Sequence, residues 1–235
     1  MEAPHLSLPA IGMLLPRDPV RELTPATAFA VSDNYALTAF HCVGNRKTGE
    51  LFAQDWEISF PGEGKSSAVV EDRSIPEDVA LLRLTSELPP GRTPLRLAHA
   101  GPELTLRRFR AKGFPRARPF STDAETVTGT IADPLGTAFG GIPAVHLYAD
   151  QAAAGFPLGG LSGAPVMIEP GLHESHPGSR SDTAVGLIRW NPPDPSSPGT
   201  AFGGIVYATP VSVAEQRWPD LRSAFVQPPV VVLPY

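Results

Sequence analysis

Only one of the 235 residues is a cysteine, Cys42. A single thiol closes no internal disulfide, and a chain of this size without disulfides suits a reducing compartment, so a cytoplasmic location is expected. Charge is sparse as well: Asp, Glu, Lys and Arg make up 18% of the chain, with a formal net charge of -5. That balance argues against nucleic acid as the main partner, because phosphate binding needs a basic surface. No apolar run reaches bilayer-spanning length. The opening MEAPHLSLPAIGMLLP places Glu2 where a signal peptide needs positive charge and interrupts its apolar run with prolines. Neither a membrane span nor a leader is therefore expected. Long helical patterns are also scarce.

What is abundant explains that scarcity. The chain holds 28 prolines and 22 glycines, and so many helix breakers favour short strands joined by turns. ATAFAVSDNYALTAFHCV, from Ala26, reads as a hairpin with SDN at its turn. WEISF and SSAVV flank the turn PGEGK, and DVALLRL is the nearly continuous apolar run of a buried strand. Residues 86–105, with ELPPGRTP, form a connector. Beyond it RFRAKGFP, ETVTGTIA, AVHLYAD, GAPVMI, TAVGLIRW and GIVYATPV repeat the strand pattern about every ten residues. One helix is expected, with Ser212 and Glu215 as a capping box and Pro219 kinking or dividing VAEQRWPDLRSAF. The class is all-β, with paired small barrels and a C-terminal helix.

Three local motifs carry chemistry: TAFHC at 38–42, EDVALLRL at 77–84 and GGLSGAPV at 159–166. Alone, each has an ordinary structural explanation. Their order is what matters. A serine hydroxyl becomes a good nucleophile only when a base removes its proton during attack. Histidine titrates in the right range for that task, and a carboxylate fixes its tautomer.

These motifs resemble those of the trypsin-like (chymotrypsin-fold) serine proteases, with Phe40 standing where that family usually has a second alanine. The resemblance extends from about Thr27 through the final helix, supported by GFP at 113–115, VGLIRW at 185–190 and IVYATPV at 205–211. It implies two packed six-stranded antiparallel β-barrels in a single peptidase domain, one over about 10–95 and the other over about 104–211, with a helix at about 212–225. It implies hydrolysis of peptide bonds in a protein or peptide substrate through an acyl-enzyme on Ser162. His41 would then be the general base and Asp78 its orienting carboxylate, with the backbone N–H groups of Gly160 and Ser162 as the oxyanion hole. No cofactor or metal is implied. Intracellular bacterial members act in defence and signalling, which leaves room for a regulatory partner or a fused sensor domain.

Three departures follow from the same resemblance. The cysteine after the histidine usually forms a disulfide to the preceding strand, and Ala26, Thr27 and Ala28 offer no partner. If TAFHC is extended, neighbouring side chains alternate and Cys42 faces away from the substrate as an inert core residue. Secreted zymogens carry an Asp before the nucleophile that accepts a new N-terminus. Leu161 stands here, so the site is preformed or is ordered by something else. Arg189 replaces a small polar residue near the triad Asp, with its direction left open.

The residue six before the nucleophile is Phe156, which with Pro157 and Leu158 would make an apolar pocket floor. Trp190, Asn191, Gly203 and Gly204 would form the opposite wall. Such a pocket leaves a basic side chain unpaired, so cleavage after uncharged residues is expected unless a longer loop brings in Asp150. GTAFGGI occurs at 136–142 and 199–205, as two similar turns or as paired loops lining one site. RRFRAKGFPRAR (107–118) is a solvated strand edge or a docking patch for an acidic partner. HESH (173–176) lacks the framework of a metal site. Two rival functions were weighed. An α/β-hydrolase needs a helix after its nucleophile and its Asp and His later in the chain, which is not the pattern here. A catalytically silent module that binds a partner protein is the stronger alternative.

Overall fold

Alternation within single strands builds this structure, a computed structural model that describes residues 8–18, 24–62, 64–115, 124–169, 183–190, 193–194 and 197–226. Six strands form the first barrel: β1 (Ile11–Pro16), β2 (Ala26–Ala30), β3 (Tyr35–Thr38), β4 (Asp55–Ser59), β5 (Lys65–Ser74) and β6 (Val79–Leu84). They close in the order β1-β2-β3-β6-β5-β4. The second barrel comprises β7 (Arg108–Gly113), β8 (Glu125–Asp133), β9 (Val145–Ala149), β10 (Pro165–Ile168), β11 (Thr183–Trp190) and β12 (Ile205–Pro210). Its order is β7-β8-β9-β12-β11-β10, with β10 pairing back to β7. Strand for strand the two orders are the same. The all-β, double six-stranded architecture expected from the sequence is the one observed.

β2 and β6 show why their apolar runs are continuous. Every residue of β2 is buried, yet the two faces have different neighbours. Ala26, Ala28 and Ala30 fill the first barrel beside Trp56, Ile58 and Leu82. Phe29 faces the other way, into a cluster shared between the barrels. In β6, Ala80, Leu82 and Leu84 point inward, while Val79 and Leu81 join Phe29, Leu37, Met167, Ala184 and Leu187. A strand covered on both faces loses the apolar–polar alternation of a half-exposed one. The second barrel keeps its own interior around Phe109, Val127, Ile131, Val145, Val166 and Val206.

The SDN turn is set by Ser32, whose Oγ accepts hydrogen bonds from the N–H groups of Asn34 (3.3 Å) and Tyr35 (3.0 Å). The two GTAFGGI copies adopt similar turns, each with consecutive glycines at positive φ. They are not paired. One leads into β9 and the other into β12, and these strands run antiparallel with Val145 opposite Ala208 and Tyr148 opposite Ile205. The turns therefore sit at opposite ends of the pair. Ile11–Pro16, read in the sequence only for its lack of leader character, is a strand.

The C-terminal helix differs in its start. Helix α2 runs Val211–Arg217 with Pro210 as its N-cap and no side-chain cap bond, so Ser212 lies inside the helix and the expected capping box does not form. Pro at the N-cap fixes φ near −65° and presets the entry of the chain into the helix. Pro219 divides the segment as expected: Trp218 is extended in ψ, and a 3-10 turn follows over Pro219–Ala224. No helix among the described residues is long and apolar enough to cross a membrane.

Trp218 ties this helix to the first barrel, since its indole N–H donates to Asp72 Oδ2 at 2.9 Å, where Arg217 also approaches at 3.3 Å. Half exposure of Asp72 limits the bond to about 1 kcal/mol. Trp218→Phe should thus lower Tm by about 2–4 °C, the shift such a loss causes in a chain of this length, while the chain still folds. An unchanged Tm in a thermal melt would show that the tie adds no stability.

Candidate functional site

His41 does not lie on a strand. β3 ends at Thr38, and Phe40–Cys42 form one turn of 3-10 helix whose Phe40 ring is fully buried. This overturns the premise that placed Cys42 on the opposite face. Residues on a 3-10 turn are about 120° apart, and the strict alternation of a strand does not apply. Cys42 is half-buried, and its Sγ lies 3.7 Å from the carbonyl oxygen of Ser162. The turn that carries His41 is thereby set against the loop that carries Ser162.

Asp78 occupies the turn just before β6 with φ +57°, in the left-handed region. Aspartate tolerates that conformation better than most residues, and it aims a fully buried carboxylate at His41. Oδ1 accepts the His41 backbone N–H at 2.9 Å, and Oδ2 accepts the ring Nδ1–H at 2.8 Å. The backbone joins in, because Phe40 N–H donates to the Asp78 carbonyl at 3.2 Å. With Nδ1 as donor, the neutral ring keeps its acceptor lone pair on Nε2.

Two cations surround this carboxylate. Arg46, half-exposed, places Nη1 at 3.8 Å from Asp78 Oδ2. No motif in the sequence pointed to Arg46. Arg189 is nearly buried and sends Nη1 toward the Glu77 carbonyl at 3.5 Å, where the Thr209 hydroxyl also donates. The pairing of β11 with β12 slips between Ile188 and Trp190. That bulge is the kind of irregularity that re-aims a side chain, and it turns Arg189 inward. Burial opposes the Arg189 charge, Asp78 supports it, Arg46 opposes it and Glu77 supports it. Its direction, open in the sequence, is toward the Asp78 turn.

The Ser162 segment, residues 158–164, wraps tightly. Leu161 is buried in the second-barrel interior and donates its N–H to Leu158 O at 3.1 Å. Gly160 and Gly163 take φ +93° and +83°, conformations open to glycine without a Cβ penalty. At Gly163 a Cβ would stand 2.0 Å from the Thr27 carbonyl oxygen. Among the described residues, none accepts a hydrogen bond from the N–H of Gly160 or Ser162.

The expected specificity pocket is brought together only in part. Phe156 is half-buried against the second-barrel core and Pro157 is exposed, but Leu158 lies inside that core. Gly204 leaves no space either. A Cβ there would meet Ala153 Cβ at 2.9 Å and Tyr148 Cε2 at 3.1 Å, whereas one at Gly203 would meet nothing within 4 Å. Leu158 and Gly204 are therefore packing positions. Asp150 begins the short helix α1 (Asp150–Ala153) and pairs with Arg108 at 2.7 Å and the Thr128 hydroxyl at 3.2 Å. Asn191, His173, His176, residues 116–118 and the Trp190 side chain lie outside the described residues.

Burial works against a charged His41 ring, but the Cys42 sulfur and the Asp78 carboxylate outweigh it and push the pKa up to about 10. The sign follows from linkage. A pKa raised above 6.5 adds stability that is fully present below 6.5 and is lost as pH rises through the shifted value. Following the His41 ring by NMR in Ser162→Ala protein should give a midpoint above 6.5, and Asp78→Asn should lower it. A midpoint at or below 6.5 would mean that burial dominates.

The match to a trypsin-like peptidase domain model covers residues 26–171. Among solved structures, the serine endoprotease of Yersinia pestis is similar at TM-score 0.60 and 17% identity, over 92% of this chain and 64% of its own. The HtrA-type protease AlgW, solved with a tripeptide, gives TM-score 0.63 and 17% identity over 90% of this chain and 59% of its own. An inactive form of the Rv3671c protease of M. tuberculosis H37Rv gives 0.58 and 14% over 94% and 91%. The chain thus spans 64% of the length of the first of these neighbours and 59% of the second. Curated proteins yield no match. With the family model covering more than half of its length, the chain belongs to the trypsin-like peptidase domain family.

Proposed function

We propose that this chain is an endopeptidase that cleaves proteins through an acyl-enzyme on Ser162, with His41 as general base and Asp78 orienting the imidazole. One observation carries the reading: the buried Asp78 carboxylate takes both the ring Nδ1–H and the backbone N–H of His41. A carboxylate fully removed from water costs several kcal/mol unless it is compensated. Here the compensation comes from the two N–H groups of one histidine and from the Arg46 guanidinium, and the Nδ1–H bond leaves Nε2 as the basic atom of the neutral ring.

In the mechanism, Nε2 of the neutral ring, whose share grows as pH rises toward the shifted value of about 10, takes the Ser162 hydroxyl proton as Oγ attacks the scissile carbonyl. Asp78 stabilises the imidazolium through the Nδ1–H bond. The same Nε2–H then protonates the leaving amine, and a water repeats the sequence to release the acyl group. The N–H groups of Gly160 and Ser162 stabilise the tetrahedral oxyanion, where one lost donor typically costs about 10²–10³-fold in rate. Neither a cofactor nor a metal enters. The cytoplasmic setting, and a role as the protease of a bacterial defence or signalling system, rest on the single cysteine and on the resemblance to intracellular members.

Ser162→Ala and His41→Ala should each reduce peptide hydrolysis by about 10⁴–10⁶-fold, and the double variant should lose little more, because the residues act as one unit. A fluorophosphonate probe should label wild type and spare Ser162→Ala. Unlabelled but folded wild type would favour the silent, partner-binding module.

None of the residues proposed for the pocket carries a carboxylate, and the expected specificity follows from that. With Asp150 engaged by Arg108 and Phe156 at the floor, small or moderately apolar residues should precede the cleaved bond. A basic side chain there would be buried unpaired, at a cost of several kcal/mol. A peptide library cut mainly after Arg or Lys would refute this.

A further inference from the structure

Thr27 is fully buried on β2, and it bonds both to the Ser162 loop and to the end of the strand that leads into the His41 turn. Its backbone N–H donates to the Ser162 carbonyl at 3.0 Å. Its own carbonyl accepts the Thr38 hydroxyl at 2.7 Å, at the end of the strand that leads into the His41 turn. Its hydroxyl donates to the Gly160 carbonyl at 3.2 Å and accepts the Phe114 N–H at 3.1 Å. Two glycines keep this point open: a Cβ on Gly113 would lie 2.6 Å from Thr27 Oγ1, and one on Gly163 would lie 2.0 Å from Thr27 O.

The consequence lies in which peptide planes these bonds hold. The Gly160 carbonyl fixes the plane between residues 160 and 161, and the Ser162 carbonyl fixes the plane between 162 and 163. Between them Leu161 is anchored by its buried side chain and by its bond to Leu158 O. The plane in the middle, which carries the Ser162 N–H, is left with little freedom. A hydroxyl buried with both a donor and an acceptor partner is also a high-stakes group, because removing it strands a buried N–H.

We propose that Thr27 is a positioning residue that holds the Ser162 loop in its oxyanion-binding conformation. It supplies from the first barrel the tether that Leu161, lacking a carboxylate, does not provide from within the loop. The proposal rests on the reading of Ser162 as nucleophile and adds to it the means of order. It also makes the tether constitutive, because all four bonds lie within the folded chain and none needs a newly cut N-terminus.

The test compares Thr27→Val, which keeps the shape and deletes the hydroxyl, with Thr27→Ser, which restores it. In Thr27→Val the amides of residues 158–164 should exchange at least about tenfold faster, and kcat should fall about 10²-fold, the scale of a lost oxyanion donor. KM should stay within about threefold. Affinity for a peptide aldehyde, whose adduct places an oxyanion in the hole, should fall with kcat, while affinity for the matching product peptide should hold. Thr27→Ser should stay near wild type in each measurement. If Thr27→Val does not fold, Thr27→Cys, a similar size to Ser with a weak donor, takes its place in the comparison. Unchanged exchange and kcat would overturn the proposal, and so would a Thr27→Ser variant as impaired as Thr27→Val, or equal losses of aldehyde and product binding. Hydrogen exchange needs no activity. Should wild type fail to hydrolyse peptides or take the probe, the nucleophile reading falls, and exchange still decides the tether.

Discussion

Closing a six-stranded sheet on itself buries one face of every strand and leaves the other face to be covered from outside. In this chain the first barrel covers the outward apolar side of β2, β3 and β6 with the second barrel and helix α2. That shared layer, with Phe29, Leu37, Leu81, Met167 and Leu187 at its heart, sets how the two barrels sit. Each fully buried Leu or Phe contributes about 1.5–3 kcal/mol, so the layer is much stronger than any hydrogen bond near it. The candidate site lies along its edge. His41 and Asp78 come from the first barrel, Ser162 from the second, and their separation is inherited from packing that contains no charge.

Upon that apolar base the side chains around Asp78 are given partners. Asp78 is fully buried, yet two N–H groups of one histidine and a nearby guanidinium attend it. Glu77 supports the Arg189 charge and also lends a carbonyl that collects the Thr209 hydroxyl and the Arg189 guanidinium. The upward push on His41 and the burial that resists it are opposing consequences of the same location. A more exposed imidazole would feel neither.

Much of this was legible in the sequence because the signals were local. The strands at 26–30, 79–84 and 183–190 carry their burial in their composition, and the turn at 32–34 carries its own hydrogen-bonding serine. The three motifs around His41, Asp78 and Ser162 were readable for the same reason. What was not legible depends on chain segments distant in sequence. Whether residues 40–42 continue a strand or turn into a 3-10 helix is decided by burial of Phe40, and that decision moved Cys42 from a remote face to the Ser162 carbonyl. Leu158 and Gly204 look like pocket residues by spacing alone, whereas their neighbours, the second-barrel core and Ala153, come from elsewhere. Arg46 had no pattern at all, being one arginine in a turn whose target lies 32 residues further on.

The position of Cys42 has a practical consequence. The only thiol of the chain sits next to His41 and 3.7 Å from the Ser162 carbonyl oxygen. Any small spectroscopic label attached to sulfur will therefore report from one known place, with no competing signal and no need to remove other cysteines first. A fluorinated tag there would register events in the Ser162 loop as a change in a single resonance, and so make occupancy of the cleft visible without a chromogenic substrate.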